Sequence, residues 1–185
     1  IVIEDAAQSF GSKIGDKKAG SFGLIGTTSF FPAKPLGCYG DGGAIFTNDD
    51  NLKNILQSIR IHGKGEDKYD NVRTGINGRL DTMQAAVLIE KLKIFDNELI
   101  VRDNIAKKYS KELSQFLQVQ YIPKNYMCSW AQYSLLCNDE NERNNIMEYL
   151  KSYNIPTMIY YKKPMHMQAT YKNLNYKSTD LPVSN

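Results

Sequence analysis

The chain has 185 residues, of which 42% are hydrophobic and 23% are charged, and its formal net charge at pH 7 is +3. This composition is typical of a globular protein, and the weak charge without a basic cluster argues against nucleic-acid binding. No apolar run approaches the roughly 18 residues of a membrane span, so we predict no membrane segment.

The cysteines are the first feature with a chemical meaning. Cys38, Cys128 and Cys137 are an odd number without a CxxC pair. This spacing disfavours a disulfide framework and a zinc site, so we expect no metal and a reducing compartment, the cytoplasm. The chain opens on IVIEDAAQSFG, which has the pattern of a strand, and we expect it to be a piece of a longer polypeptide.

Strands and helices alternate along the first part of the chain. Short β-rich segments bounded by Gly, Pro or Asp predict strands at 1–3, 27–31 and 44–47. Asp49 and Asp50 predict the N-cap of a helix, which Gly63 ends. After a polar loop over 64–77, apolar residues that share one face predict a long helix from residue 80 to about 116.

The second part of the chain has a different character. All thirteen glycines lie at or before Gly78, and glycine permits close approach of the backbone to a ligand. We therefore expect the binding site in the first part. The later elements indicate a small α+β domain, with strands and one helix in the order 119–122, 131–137, helix 141–153 and 157–160. A domain change near residue 100 follows, which divides the chain into 1–99 and 100–185.

Asp5 is the first candidate for chemistry. It comes directly after an apolar strand, and open α/β sheets bind their ligands at that end of their strands. A turn aspartate or a helix N-cap is equally compatible with this position. Gln8, three residues later, would face the same way on a helical turn. A solvent-exposed glutamine without a binding role is the alternative.

Lys34 lies in the segment SFFPAKPLGCYGDGGA, between Pro32 and Pro35. The prolines stiffen the loop, and Pro35 biases Lys34 away from the helical region. Schiff-base chemistry needs an amine that is held in one place, and a fixed backbone supplies that condition. An ordinary loop lysine remains an alternative on this evidence alone.

Ser29 precedes Lys34 by five residues, and its hydroxyl could hydrogen-bond a phosphate. A strand serine satisfied by the backbone is the simpler interpretation of any single serine. The glycines of GDGG, residues 40–43, allow a tight turn but match neither the GxxxxGK[ST] pattern nor GxGxxG. A nucleoside-triphosphate site and a Rossmann-type reductase are therefore disfavoured.

Taken together, an acidic group at a strand end, a fixed lysine and a nearby hydroxyl are the parts that pyridoxal 5′-phosphate (PLP) enzymes need. The lysine forms the Schiff base, the carboxylate keeps the pyridinium nitrogen protonated, and hydroxyl or N–H groups hold the phosphate. The combination favours PLP more strongly than the lysine alone does.

Three blocks of the sequence resemble one family. The segment EDAAQSFGSKIGDKKAGSFGLIGTTSFFPAKPLGCYGDGGAIFTND resembles the core of the DegT/DnrJ/StrS sugar aminotransferases, and GINGRLDTMQAAVLIEKL and YNIPTMIYYKKPMHMQ resemble its later signatures. The resemblance implies an α/β fold of the PLP-dependent transferases, fold type I (aspartate aminotransferase-like). Part of its large domain would occupy 1–99 and part of its small C-terminal domain 100–185. Chains of this family are about twice as long as this one.

The resemblance also implies roles for individual residues. Lys34 would be the Schiff-base lysine and proton carrier, and Asp5 would pair with the pyridine nitrogen. Gln8 would lie against the ring, and Ser29 would bind the phosphate. Asn77 would reach the phosphate of a neighbouring subunit's cofactor, which implies a homodimer with shared active sites.

Two residues are assigned to the substrate by the same resemblance. Arg79 could meet an acidic sugar group or cap the long helix, and these interpretations stay open. His166 resembles a residue close to the sugar-nucleotide site, although a partly buried structural histidine is equally compatible. His62 is interpreted as structural.

Within the family, the chain most resembles enzymes that aminate a UDP-linked 3-keto sugar of the 2-acetamido-2-deoxy-3-oxo-glucuronate type. Enzymes that act at C4 of a 4-keto-6-deoxy nucleotide sugar are the near alternative. A dehydratase branch has histidine in place of the lysine, so Lys34 favours transamination. We expect glutamate as the amino donor. A non-catalytic sensor with the same fold is the alternative from a different class.

Overall fold

The structure is a computed structural model that describes residues 1–67, 69–177 and 179–184. The chain divides into two compact units, Ile1–Leu136 and Cys137–Asn185. Residue 100 lies inside a helix of the first unit, and the domain boundary expected there remains a prediction. In the described ranges, none of the helices combines the length and the apolar character needed to cross a membrane.

The first unit contains most of the regular structure. Its elements in chain order are β1 (Ile3–Asp5), β2 (Lys13–Ile14), β3 (Lys17–Lys18), β4 (Ile25–Ser29), β5 (Gly43–Phe46), α1 (Asp50–Arg60), α2 (Thr82–Leu113), β6 (Gln118–Val119), β7 (Tyr126–Met127) and β8 (Leu135–Leu136). The second unit contains α3 (Glu140–Ser152) and two 3₁₀ helices, Met165–Met167 and Ala169–Leu174.

The central sheet has the order β1-β4-β5. Strands β1 and β4 are parallel, with Asp5 opposite Thr27, whereas β5 is antiparallel to β4, with Gly43 opposite Ser29. The carboxyl ends of β1 and β4 and the beginning of β5 therefore lie at one edge. This edge positions the candidate site.

The first unit also contains two smaller sheets. A hairpin of β2 and β3 pairs with β7, which brings Lys13 opposite Met127. Strands β6 and β8 form an antiparallel pair. None of the two-residue strands β2, β3 and β7 was expected from the sequence, because segments this short have no detectable alternation.

The three α-helices begin within two residues of the predicted starts. Asp49 caps α1 by accepting a hydrogen bond from the Leu52 N–H at 3.0 Å. Asp139 caps α3 in the same way, and its Oδ1 accepts from the Glu142 N–H at 2.8 Å. Each aspartate satisfies a backbone donor that the first helical turn leaves unpaired.

The core of the first unit joins the long helix to the loop that follows β4. Its buried members are Phe30, Leu36, Cys38, Leu88, Phe95 and Leu99. The ring of Phe10 packs against it, with its centroid 5.7 Å from that of Phe95 and 6.2 Å from that of Phe30. The core therefore lies directly beneath the segment that carries Lys34.

Most predicted elements are confirmed with shifted ends, but one is wrong. No strand forms at 157–160, where the described residues have no regular structure except turns. A strand needs a hydrogen-bonding neighbour, and no described strand pairs with this segment. The β-branched and aromatic pattern of TMIY was a local signal without that partner.

Candidate active site

Asp5 is the last residue of β1, and its side chain is exposed at the sheet edge. Its Oδ1 accepts a hydrogen bond from the Ala7 N–H at 2.9 Å. Within the described part of the chain, this is the one protein partner of the carboxylate. The second oxygen is therefore available to a ligand.

The backbone around Asp5 is fastened to β4. The Ala6 N–H donates to the Thr27 carbonyl at 2.8 Å, and the buried Thr28 hydroxyl donates back to the Ala6 carbonyl at 3.3 Å. Because both contacts lie beside Asp5, the position of its carboxylate relative to β4 is well defined.

Ser29 ends β4 at the same edge, two residues beyond the partner of Asp5. Its Oγ accepts a hydrogen bond from the Phe31 N–H at 3.2 Å, which leaves the hydroxyl proton as a donor. The sequence predicted a strand serine or a phosphate ligand, and this geometry is compatible with both.

Lys34 lies on the loop that leaves the sheet after Ser29 and returns at Gly43. Its own N–H donates to the Phe31 carbonyl at 2.9 Å, which closes a tight turn. Its side chain is half-buried. In the ranges described by the structure, no carboxylate or carbonyl holds its Nζ, so the amine is available for chemistry.

Three chemical groups thus share one edge of the sheet: the carboxylate of Asp5, the hydroxyl of Ser29 and, on the loop that follows, the amine of Lys34. This donor set fits PLP, because the cofactor offers a ring nitrogen, a phosphate and an aldehyde to partners of these types. The sequence named all three residues, and the parallel pairing of β1 with β4 is what brings two of them together.

Two glycines near Lys34 lie against the chain's own backbone. A Cβ at Gly37 would lie 2.5 Å from the Pro32 carbonyl oxygen, and one at Gly43 would lie 2.7 Å from the Thr28 carbonyl oxygen. Both positions are crowded by the chain's own backbone. These glycines are therefore required for packing of the loop against itself and the sheet.

Gln8 is exposed in the turn that follows β1. Asn77 and Arg79 lie on the connection between α1 and α2, where Arg79 Nη1 donates to Asn77 Oδ1 at 2.7 Å. Since a guanidinium can only donate, the amide oxygen must face Arg79 and the amide NH₂ faces away. Among the described residues, no hydrogen bond links this pair to Asp5, Ser29 or Lys34.

His166 belongs to the second unit, where it lies in the first 3₁₀ helix. Its ring contacts Tyr176 edge-on, with the centroids 6.0 Å apart. Its assignment to a substrate site remains a prediction.

Sequence reasoning missed Glu4, the neighbour of Asp5. Its two carboxylate oxygens accept from the backbone N–H groups of Gly20 at 2.7 Å and Phe22 at 2.8 Å. Glu4 thereby holds the loop that leads into β4. Alternation along β1 places it on the opposite face from Asp5, which is the signal that could have separated the two carboxylates.

The expected fold class, part of a PLP-dependent transferase of fold type I, is confirmed by the family match and by solved aminotransferase structures. The chain belongs to the DegT/DnrJ/EryC1/StrS aminotransferase family, whose sequence profile matches residues 1–185.

Curated relatives and solved structures agree with this assignment. The chain is 43% identical to the UDP-2-acetamido-2-deoxy-3-oxo-D-glucuronate aminotransferase of Pseudomonas aeruginosa over 90% of this chain and 46% of that protein. It is 39% identical to a pleiotropic regulatory protein of Geobacillus stearothermophilus over 98% of this chain and 49% of that one. A crystal structure of a DegT DnrJ EryC1 StrS aminotransferase from Brucella abortus superimposes with a TM-score of 0.88 at 52% identity, covering 92% of this chain and 45% of that chain.

The chain spans about half the length of the curated relatives that it matches. The activities and substrates of these relatives therefore enter only as proposals for this protein.

Proposed function

We propose that the protein is a PLP-dependent aminotransferase that acts on a keto group of a nucleotide-linked sugar. The observation that carries the proposal is the common sheet edge where Asp5 and Ser29 end parallel strands and the Lys34 loop begins. Membership of the aminotransferase family supports it. Such a reaction would supply amino sugars for surface-polysaccharide or other glycan precursors.

The residues at this edge divide the work by their chemistry. When bound, PLP supplies an aldehyde for capture of an amine and a ring that stores the electron pair of a broken C–H bond. Asp5 would hold a proton at the pyridine nitrogen, which a carboxylate does by favouring the charged form. Ser29 would donate its hydroxyl proton to a phosphate oxygen, and Gln8 would lie beside the ring.

Lys34 would be the catalytic residue of this arrangement. Its Nζ would bind the aldehyde carbon of the cofactor. After an incoming amine has displaced it, the same Nζ would move a proton between the α-carbon of that amine and the former aldehyde carbon. The tight turn closed by the Phe31 carbonyl keeps its backbone in one place. A lysine at this position, where the dehydratase branch has histidine, supports amine transfer.

We propose glutamate as the amino donor and a UDP-linked 3-keto sugar as the acceptor. The support for this acceptor is the printed activity of the Pseudomonas aeruginosa relative, which is 43% identical. Amination at C4 of a 4-keto-6-deoxy nucleotide sugar is the alternative. Arg79 and His166 are proposed substrate contacts, and the cytoplasm is the proposed location.

A homodimer with shared active sites is also part of the proposal. Asn77 is exposed and Arg79 occupies its amide oxygen, which leaves the amide NH₂ to donate to another group. We propose that this NH₂ donates to a phosphate in a second subunit. Helix α2 adds exposed apolar side chains that a partner could cover, among them Met83, Ile89, Leu92 and Ile100.

The direct test is covalent capture of PLP. Purified protein is mixed with PLP, reduced with borohydride and digested, and we expect the pyridoxyl label on the peptide that contains Lys34. Lys34→Ala should lose the label and the transfer of the glutamate amine to a keto sugar. Lys53→Ala, on the exposed surface of α1, is the matched control. If Lys34→Ala retains label and turnover, the assignment is wrong.

A non-catalytic regulator is the second candidate, which the name of the Geobacillus relative favours. Such a protein would bind PLP or a nucleotide sugar but would not accept the amine of glutamate. Conversion of bound PLP to the pyridoxamine form on addition of glutamate, followed by absorbance, separates the two functions.

A further inference from the structure

The loop that carries Lys34 is held from outside by side chains of α2. Lys91 Nζ donates to the Gly37 carbonyl at 2.6 Å, and Arg102 Nη2 donates to the Pro35 carbonyl at 3.3 Å. These two contacts join residues 54 and 67 positions apart in the chain. Both acceptors lie within three residues of Lys34.

The two carbonyl groups need these donors. Pro35 and Gly37 are buried, and a buried carbonyl without a partner carries a desolvation penalty. The loop is folded tightly on itself here, since a Cβ at Gly37 would lie 2.5 Å from the Pro32 carbonyl oxygen. Lys91 and Arg102 therefore satisfy acceptors that the loop's own backbone leaves over.

The charge of Lys91 is directed to the loop. No carboxylate of the described residues lies within ion-pair distance of its Nζ, which instead contacts the Gly37 carbonyl and the Tyr39 ring, 5.2 Å from the centroid. Lys93, two residues along the same helix, is paired with Glu90 at 2.7 Å and does not reach the loop. A hydrogen bond from a full charge is shorter and stronger than a neutral one.

Packing under the loop acts in the same direction. Leu36 and Cys38 are buried in the core together with Leu88 and Phe95 of α2. Buried side chains and carbonyl groups of the loop thus both contact one helix, α2. The backbone of Lys34 has little freedom to move relative to α2.

We propose that Lys91 and Arg102 are positioning residues, which hold the loop so that the Lys34 amine meets its reaction partner in one geometry. This inference rests on the proposed function, because the two contacts position a reactive amine only if Lys34 is the catalytic lysine. Small displacements of a reacting group lower the reaction rate and the binding affinity. Contacts that fix the backbone next to a reactive side chain are therefore needed. Lys91 has the larger share, because Arg102 is also near Glu98, at 4.0 Å.

The first experiment measures amide hydrogen exchange of the peptide that spans 31–40 in purified protein without PLP. Lys91→Met should accelerate exchange there on the order of tenfold, because it removes a charge-assisted hydrogen bond. Lys91→Arg, which keeps a charged donor, should restore much of the protection. Lys93→Met is the control and should change nothing in this peptide.

The second experiment titrates PLP capture on Lys34 in the same variants, by borohydride reduction and peptide mass spectrometry. Lys91→Met should raise the half-saturating PLP concentration on the order of tenfold, with a smaller rise for Arg102→Met. Lys91→Arg should lie near the unsubstituted protein.

The outcomes separate the two proposals. Unchanged exchange over 31–40 in Lys91→Met, or equal acceleration throughout Ile1–Leu136, overturns the positioning role. Local acceleration with rescue by arginine supports it. If the unsubstituted protein takes no PLP on Lys34 while the loop still depends on Lys91, the hold on the loop stands and the proposed function fails.

Discussion

Glu4 and Asp5 are adjacent carboxylates, of which Glu4 holds a loop and Asp5 is proposed to bind the cofactor, and a pair of isosteric substitutions can separate these two functions. Glu4 accepts two backbone hydrogen bonds from the loop before β4, whereas Asp5 accepts one, from Ala7. Glu4→Gln keeps one good acceptor but places an NH₂ group against a backbone N–H. Asp5→Asn keeps the acceptor Oδ1 and removes only the charge.

The expected magnitudes follow from these bonds. A hydrogen bond to a charged group contributes about 1.5–3 kcal/mol, and the half-exposed position of Glu4 favours the low end. Glu4→Gln should therefore lower the free energy of unfolding by about 1.5 kcal/mol, and Glu4→Ala by about 3 kcal/mol, since Gly20 is buried and its N–H cannot turn to water. Asp5→Asn should stay within about 0.5 kcal/mol, as an exposed substitution does.

Urea unfolding gives the first quantity, provided that the slope with denaturant is the same in all variants. PLP titration measures the affinity for the cofactor, for which we expect the reverse order: Asp5→Asn should weaken PLP binding more than Glu4→Gln. Equal destabilisation by Glu4→Gln and Asp5→Asn would refute the division of roles. So would a loss of less than about 0.5 kcal/mol in Glu4→Ala.

Two further predictions concern stability. Phe95→Ala should lower the free energy of unfolding by about 3–5 kcal/mol, because Phe95 is 5% exposed in the core. Ile94 is 54% exposed, and Ile94→Ala should lower the free energy of unfolding far less. Urea unfolding of the two variants measures the difference. Burial raises the pKa of Asp103, but hydrogen bonds from Lys107 and Trp130 and the Lys107 charge outweigh it, so the pKa lies below its ordinary value. A lowered folded-state pKa stabilises the fold above the ordinary value of about 4, and this contribution is lost as the pH falls below it. Asp103→Asn should therefore flatten the decline of the urea midpoint in acid, and an unchanged decline would contradict this assignment.

The residues proposed for chemical roles stand out in the local sequence. Asp5 follows an apolar run, Lys34 stands between two prolines, and aspartates precede α1 and α3. Signals of this kind depend on a few neighbouring residues, through backbone restrictions, capping and periodicity. They indicated the main helices and the candidate residues, whereas the fold class was predicted from the resemblance of whole sequence blocks to one family.

Only the tertiary structure decided which of these residues act together. The sequence does not show that Glu4 holds a loop while Asp5 is exposed at the sheet edge, or that Lys91 reaches a carbonyl 54 residues away. Nor does it show that β2 pairs with β7 while the segment 157–160 has no strand partner among the described residues. Such contacts depend on the path of the whole chain, since a buried carbonyl or a strand edge takes whichever donor the fold brings within hydrogen-bonding distance.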